Sequence, residues 1–529
     1  MQEYDWINYL KKISDFTGRT PFGHKLSNEY LQYMRDVQCE CVLNRKTYPK
    51  TKETENFYFQ QFIKEKIPTL KIPDDVWRQA ELELKKSYME AHKFWEPKKT
   101  NINKKLLWLA SKLTYLHNGR VCKDAGEMTF EEIFNSWDSA ASPGYYFNMK
   151  YQRTDEFIEK ENAYQVISEY WEKLLKTPEP DLYSNALKAE LRKVGKNPRT
   201  FMGSARRMLA AKQKLFLGQN KRITKNHWDL WIRVGLSNFH GGWNALYEQF
   251  KNHVGTKALF WDSDVSGWDR SVPKELLDEV LKIRLQWLPL SMATDENKKR
   301  AQVLYNAATE GFVLMELGEV LQKKRGVASG DALTIFDNSI AHEIVAIYAL
   351  LSMIPENILD NMTIPEIYHL IFDSNIMAFM GDDNLGGVNL DKFPWFDLQK
   401  LKQAYADFGF EMKQLNSSKK LEDLQFLSRG FKKVNNVWCA VPDYIKTLCQ
   451  VVYGGTSNYP NDVLERTIAL EREAWPNNEL WQILHQFNAW MFDTMQLQLK
   501  IKTEKHVSYD ILKTEWLSER ELRELHCGF

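Results

Sequence analysis

Two acids, Asp382 and Asp383, stand in the tetrapeptide Gly381-Asp382-Asp383-Asn384, with the apolar runs Ile376 to Met380 before it and Leu385 to Val388 after it. The runs read as the strands of a hairpin, and a turn that contains glycine pushes its carboxylates out of the core. By itself such a turn is an ordinary solvated one. A second acidic strand end changes its meaning: Ala258 to Trp261 reads as a strand that ends at Asp262-Ser263-Asp264, with Asp269 five residues beyond Asp264. If the two strands are neighbours in one sheet, Asp264 faces Asp382 and Asp383 with no Lys or Arg beside them. Three such carboxylates repel one another unless divalent cations lie between them. Oxygen ligands without His or Cys favour Mg²⁺ or Mn²⁺, and two such ions about 3.5–4 Å apart stabilise both oxygens of an in-line phosphoryl displacement.

The elements that must hold these acids follow from the surrounding texture. From Thr256 the chain alternates short β-prone runs with helical stretches, as an α/β layer does. Between the two acidic segments the pattern predicts a helix from about Ala332 to Met353, entered through Ala328-Ser329-Gly330-Asp331. Thr334 and Asn338, four apart, share one face of it, while Ser329 lies in the loop beside the flexible Gly330. Residues 188–225 carry twelve Lys or Arg against the single acid Glu190. A solvated helix face normally mixes both signs, so this run points to a polyanionic partner. Residues 1–130 read as mostly helical, for example Asp74 to Phe94. The chain becomes helical again after Asn436, with Trp475, Trp481 and Trp490 as core residues.

With 529 residues, 43% of them hydrophobic and 27% charged, the chain is long enough for several packed lobes. Its net charge of +1 means that attraction to an anion has to come from a local patch. Six cysteines show no metal-finger or disulfide-scaffold spacing, although Cys39-Glu40-Cys41 is a close pair, and a reducing compartment is expected. The N-terminal residues lack the features of a signal peptide, and apolar runs such as Ile344 to Leu351 are too short to span a membrane.

Taken together, the motifs resemble those of the RNA-dependent RNA polymerases of positive-strand RNA viruses, in that family's order. Motif A, Asp-x4-Asp, is matched by Asp264 and Asp269. Motif B, Ser-Gly-x3-Thr-x3-Asn, is matched by Ser329, Gly330, Thr334 and Asn338, and motif C by Gly381-Asp382-Asp383. Motif D, a helix followed by a lysine, resembles Phe396 to Phe410 followed by Lys419 or Lys420. Motif E resembles Phe426 to Phe431, which includes Arg429. Motif F resembles Lys188-Ala189-Glu190-Leu191-Arg192 through Arg199, and motif G resembles Ser142-Pro143-Gly144-Tyr145. The resemblance covers residues 139–431, and its wording is most similar to the sobemovirus-like and picornavirus-like groups.

This resemblance implies an α+β right-hand polymerase with an antiparallel palm sheet backed by the motif B and D helices. Residues 1–255 would be an N-terminal extension and fingers, 256–274 the palm with motif A, 275–325 a fingers insertion, 326–435 the palm with motifs B to E, and 436–529 a helical thumb. Two Mg²⁺ or Mn²⁺ ions would sit on Asp264, Asp382 and Asp383. Asp269 with Asn338 would sense the ribose 2′-hydroxyl, with Ser329 and Thr334 nearby. Lys188, Arg192 and Arg199 would hold the triphosphate, and Lys419 would protonate the leaving pyrophosphate. Ser142, Pro143, Gly144, Gly330 and Arg429 would touch RNA. The implied partners are a single-stranded RNA template, the nascent duplex, NTPs and other viral replication proteins, in a replication complex of the host cytoplasm. Asp262 falls outside the pattern and reads as a salt-bridge partner. A reverse transcriptase is disfavoured by Asn338 with Asp269. A two-metal nuclease or phosphatase gives no reason for the motif B helix, and the intact acids speak against a non-catalytic RNA-binding relative.

Overall fold

The computed structural model describes residues 55–80, 98–176, 180–316, 318–331, 333–455, 457–501, 503 and 505–528, residues 90 and 94, and the backbone of 11–12 and 41–42. It is a mixed helix and sheet structure. The strands β1 (Lys11–Lys12) and β2 (Cys41–Val42) are two residues each. Helix α1 (Phe57–Lys66) starts at Asn56, whose side chain accepts the Phe59 N–H. It is followed by β3 (Trp77–Gln79), which corrects the start of the helix expected over residues 74–94. Trp77, Arg78 and Gln79 pair antiparallel with residues 193, 192 and 191 of β5 (Leu191–Lys193), so a distant strand overrides a local helical pattern. Residues 81–89 of that stretch, and the side chains of Cys39 and Cys41, lie outside the described residues.

Helix α2 (Lys104–Cys122) leads towards the basic segment, which is part strand and part helix. Strands β4 (Tyr183–Leu187), β5 and β6 (Thr200–Ser204) precede helix α3 (Arg206–Lys225). Strands β4 and β6, with β1, β2, β8 (Phe312–Leu314) and β9 (Glu319–Gln322), build a six-stranded sheet in the order β1-β2-β9-β8-β4-β6, in which only the β4–β8 pair is parallel, while β5 stays with β3. Residues from both sides of the first acidic strand therefore share this sheet.

After helix α4 (Gly242–Val254), strand β7 (Ala258–Val265) ends in the first acidic motif. Short α5 (Trp268–Ser271) and α6 (Lys274–Gln286) follow it. Helix α7 (Thr334–Met353) is buried on nearly every side, as an all-round apolar helix must be. It packs on α2, α6, strand β10 (Asn375–Met380) and helix α8 (Leu398–Asp407). The buried carboxylate of Glu343 on this helix accepts hydrogen bonds from His117 Nδ1 and Asn118 Nδ2, both at 2.7 Å.

Strands β10, β11 (Asp383–Asn389), β7 and β12 (Met412–Ser418) form a second sheet in that order, antiparallel throughout. Its register sets Gly386 against Trp261 and Gly387 against Phe260. A Cβ at Gly386 would lie 2.2 Å from the Trp261 ring, so glycine here is what lets the ring cross the strand.

Before the chain turns helical it forms one more hairpin, β13 (Arg429–Val434) with β14 (Val437–Pro442), where a helix was expected from residue 436. Helices α9 (Tyr444–Tyr453), α10 (Pro460–Ala474), α11 (Asn478–Thr494) and α12 (Glu519–Cys527) complete a C-terminal lobe. Trp475, Trp481 and Trp490 are buried in it, as the sequence predicts. Helix α1 is part of the same core: Phe59 meets the Phe487 ring edge-on at 4.9 Å, and Asn56 N–H donates to the Val452 carbonyl at 2.7 Å.

Phe59→Ala should remove a side chain with no solvent exposure and lower the unfolding free energy by about 3–5 kcal/mol. Urea denaturation followed by tryptophan fluorescence measures this, and an unchanged midpoint would contradict the packing described.

Candidate active site

Strand β7 is buried along most of its length, yet Asp264 near its end is exposed. Asp383 opens β11, one step beyond the Asn384–Ser263 pair of the ladder, so it comes level with Asp264. Asp382 sits in the tight turn between β10 and β11, where Met380 pairs with Asp383 and Gly381 has φ +67°. Water reaches both hairpin carboxylates although protein crowds them on most sides, which describes a concave site. Burial, then the charges of Asp382 and Asp264, push Asp383 up to about 7. Burial, with a smaller push from Asp264, also raises Asp382. The three acids therefore act on one another across the strand pair.

These are all-oxygen donors with mutual repulsion, a set whose chemistry suits a hard divalent ion. Among the described residues, no three Asp, Glu, His or Cys side chains close on one point at metal-ligand spacing. The acids face a common cleft without a closed ligand cage.

Asp269, in α5, is pushed up to about 6 by burial and then by Asp382. Asn338 Nδ2 donates to its Oδ1 at 2.7 Å, so the amide and carboxylate predicted to act together are joined. Ser329 and Gly330 are exposed in the loop before α7. That loop lies against β6: Gly330 N–H donates to the Met202 carbonyl at 3.0 Å. The Ser142–Gly144 loop touches the end of the same strand and the start of α3: a Cβ at Gly144 would lie 2.7 Å from Ser204 O, and the Arg206 N–H donates to the Pro143 carbonyl at 3.0 Å. Thr334 is spent locally, its Oγ1 donating to the Ala328 carbonyl at 2.5 Å.

The basic hairpin bears on the acids through Arg199, whose charge lowers the raised carboxyl values of Asp269, Asp382 and Asp383. Arg199 and Lys188 flank Glu190 at 3.5 and 3.4 Å. Arg192 Nε donates to the Asn197 carbonyl at 3.2 Å. The basic run is not all patch, however. Arg207 pairs with Asp181 at 2.6 Å, and buried Lys212 pairs with Asp331 beneath the loop that enters α7.

The expectation for Asp262 needs correction, and Lys419 and Arg429 have defined surroundings. Lys419 follows Ser418, which pairs with Phe260, so it lies at the end of β7 opposite to Asp264, about 13 Å away along the strand at roughly 3.3 Å per residue. The seven residues of β12 stand between the motif D helix and this lysine. Arg429 is held by an ion pair with Glu473 and by the Leu427 carbonyl at 3.2 Å. Asp262 has no ion pair among the described residues: it accepts from Asn416 Nδ2 at 2.7 Å and from the Gln425 N–H at 2.8 Å, tying β12 and the segment before β13 to β7.

Sequence reasoning missed Lys446 of α9, whose charge acts on Asp383, and the buried Lys323 beside Asp269. Lys323 sits in Lys323-Lys324-Arg325-Gly326 just before motif B, a basic run that could have marked it. Lys446 carried no local signal, because α9 reaches the cleft only through tertiary packing.

Motifs A to C on one antiparallel sheet and its covering helix, with a basic hairpin facing them, follow the order of a template-directed polymerase. A family model described as viral RNA-dependent RNA polymerase matches residues 44–491, well over half of the chain, and the chain belongs to that family. It is 25% identical over 315 residues to a genome polyprotein of sweet potato mild mottle virus, covering 59% of this chain and 8% of the relative. It is 24% identical over 407 residues to a genome polyprotein of zucchini yellow mosaic virus (strain Singapore), covering 75% and 12%. To an RNA1 polyprotein of cowpea mosaic virus (strain SB) it is 27% identical over 288 residues, covering 52% and 15%. The matches thus span about a tenth of these relatives' length. Among the described residues, no helix is long and apolar enough to cross a membrane.

Lys323 offers a test of the electrostatics under this site. Burial, then neighbouring Lys212, lowers it to about 7 from an ordinary 10.5. The unfolded chain therefore binds more protons between those values, and stability rises with pH through that window. The unfolding free energy of the native chain relative to Lys323→Met should increase from pH 7 to pH 10; a gap independent of pH would contradict the burial of this ammonium group.

Proposed function

We propose that the chain is an RNA-directed RNA polymerase that extends RNA from NTPs on a single-stranded RNA template during viral replication. The observation that carries the reading is the Asn338–Asp269 hydrogen bond beside the mutually coupled Asp264, Asp382 and Asp383. An amide and a carboxylate provide the donor and acceptor that a ribose 2′-hydroxyl needs. Hydrolysis of a phosphate ester has no use for such a pair.

In this reading the β10-β11-β7-β12 sheet, with α7 and α8, is the palm. The six-stranded sheet and α3 belong to the fingers, drawn from residues 1–255 and 275–325, and α9 to α12 are the thumb. Asp264 and Asp382, with Asp383, would hold two Mg²⁺ or Mn²⁺ ions, which supply charge neutralisation at the attacking and leaving oxygens. Arg199, with Lys188 and Arg192, receives the triphosphate, since guanidinium groups match phosphate oxygens in pairs. Lys446, whose charge also acts on Asp383, adds positive charge where the pyrophosphate or the primer backbone would lie. The exposed Ser329–Gly330 loop and the Ser142–Gly144 loop, in which Ser142 is exposed, lie side by side on the end of β6 and guide the template strand. Lys419 has no part in proton transfer here, because it lies at the wrong end of β7.

Purified protein incubated with a single-stranded RNA template, four NTPs and Mg²⁺ or Mn²⁺ should make template-length product, and Asp382→Asn should reduce it by at least a factor of 10³, equivalent to about 4 kcal/mol of barrier. Absence of product from the native chain even on an annealed primer would overturn the reading. Asn338→Ala should lower the ratio of ribonucleotide to deoxyribonucleotide incorporation about tenfold, the worth of one to two hydrogen bonds. An unchanged ratio would remove Asn338 from sugar selection.

A further inference from the structure

The turn that carries Asp382 is gripped by α7, the helix that also carries Asn338, through two side chains that do not reach the cleft. At Gly381 the β10–β11 ladder has ended, so neither its N–H nor its C=O finds a strand partner, and the residue is buried. Both groups are taken up by α7. The Gly381 N–H donates to Ser339 Oγ at 2.9 Å, and the Gly381 carbonyl lies 3.1 Å from His342 Nδ1. Ser339 and His342 are one helical turn apart on the same face. The Ser339 hydroxyl donates in its turn to the Ile335 carbonyl at 2.6 Å, which aims its lone pairs at Gly381. A carbonyl can only accept, so His342 is the tautomer with its proton on Nδ1.

The imidazole is fixed in place by rings from three other segments. Trp268 of α5 stacks on it at 4.3 Å, and Phe410, ahead of β12, lies on the far face of Trp268 at 4.2 Å and 4°. Phe379 of β10 and Tyr405 of α8 close the remaining sides at 4.7 and 5.7 Å. Ser339 and His342 are both fully buried, so neither touches substrate.

We infer that Ser339 and His342 are positioning residues, a two-point clamp on Gly381 that sets the direction in which Asp382 and Asp383 present their carboxylates to divalent cations. The inference rests on the polymerase reading above for its purpose, while its geometry is independent of that reading. Groups one step behind a metal's own ligands commonly govern affinity by orienting those ligands.

The test uses the full chain with His342→Phe, which keeps a ring in the stack and loses the donor, and His342→Asn, whose side-chain N–H sits at the same reach as Nδ1. Mn²⁺ binding is measured by electron paramagnetic resonance, and primed RNA elongation is measured against Mg²⁺ concentration. His342→Phe should weaken Mn²⁺ binding and raise the half-maximal Mg²⁺ by about tenfold, with template affinity unchanged. His342→Asn and Ser339→Ala should fall between it and the native chain. Native Mn²⁺ affinity in His342→Phe, or no recovery in His342→Asn, would overturn the clamp. Native protein and Asp382→Asn run alongside: failure of the native chain to elongate would count against the polymerase reading, while the Mn²⁺ titration would still decide the clamp.

Discussion

Like charges in a shared cleft repel, and here they come from segments more than a hundred residues apart in the chain. What holds them together is the antiparallel pairing of β11 with β7, which brings Asp383 level with Asp264 and hangs Asp382 on the adjoining turn. The raised values of Asp382 and Asp383 reflect what this costs. Every neighbouring element can be understood as holding that pairing fixed. Asp262 ties β12 and the approach to β13 onto β7, and α7 binds the free backbone groups of the turn.

Beneath the loop that enters α7, the molecule keeps a layer of enclosed ions. Lys212 pairs with Asp331, Arg284 lies 2.5 Å from Asp337, and Lys323 donates to two backbone carbonyls. Such pairs contribute little net stability, but losing one partner strands the other at a cost of about 3–5 kcal/mol. They discriminate strongly between one arrangement of this loop and any other. The segment that presents Ser329 and Gly330 is thereby held from below while remaining open above.

The parts of this architecture that were legible in the sequence are those with a local cause. β7 and the β10–β11 hairpin announce themselves as apolar runs ending in acids, and α7 as a long apolar stretch after Ser329-Gly330. The expected meeting of Asp269 with Asn338 is also present. What could not be read depends on partners far away in the chain. Residues 77–79 are a strand only because β5 lies beside them. Lys419 is remote from the acids because β12 runs the length of β7 before reaching it. Arg207 and Lys212 look like surface charge until Asp181 and Asp331 are seen against them. His342 was invisible because a buried histidine in an apolar helix has no signature of its own.

The abutment of Gly386 on Trp261 and of Gly387 on Phe260 has a consequence for how such a sequence can drift. A methyl group at Gly386 has nowhere to go while the indole is present, and only a smaller residue at Trp261 would make room for it. The two positions therefore vary as one unit, through a double change whose single steps both pass through a damaged sheet. A mutational library that samples one site at a time would score both as intolerant. The same library with paired changes would find that the constraint belongs to the space between two strands and not to either residue.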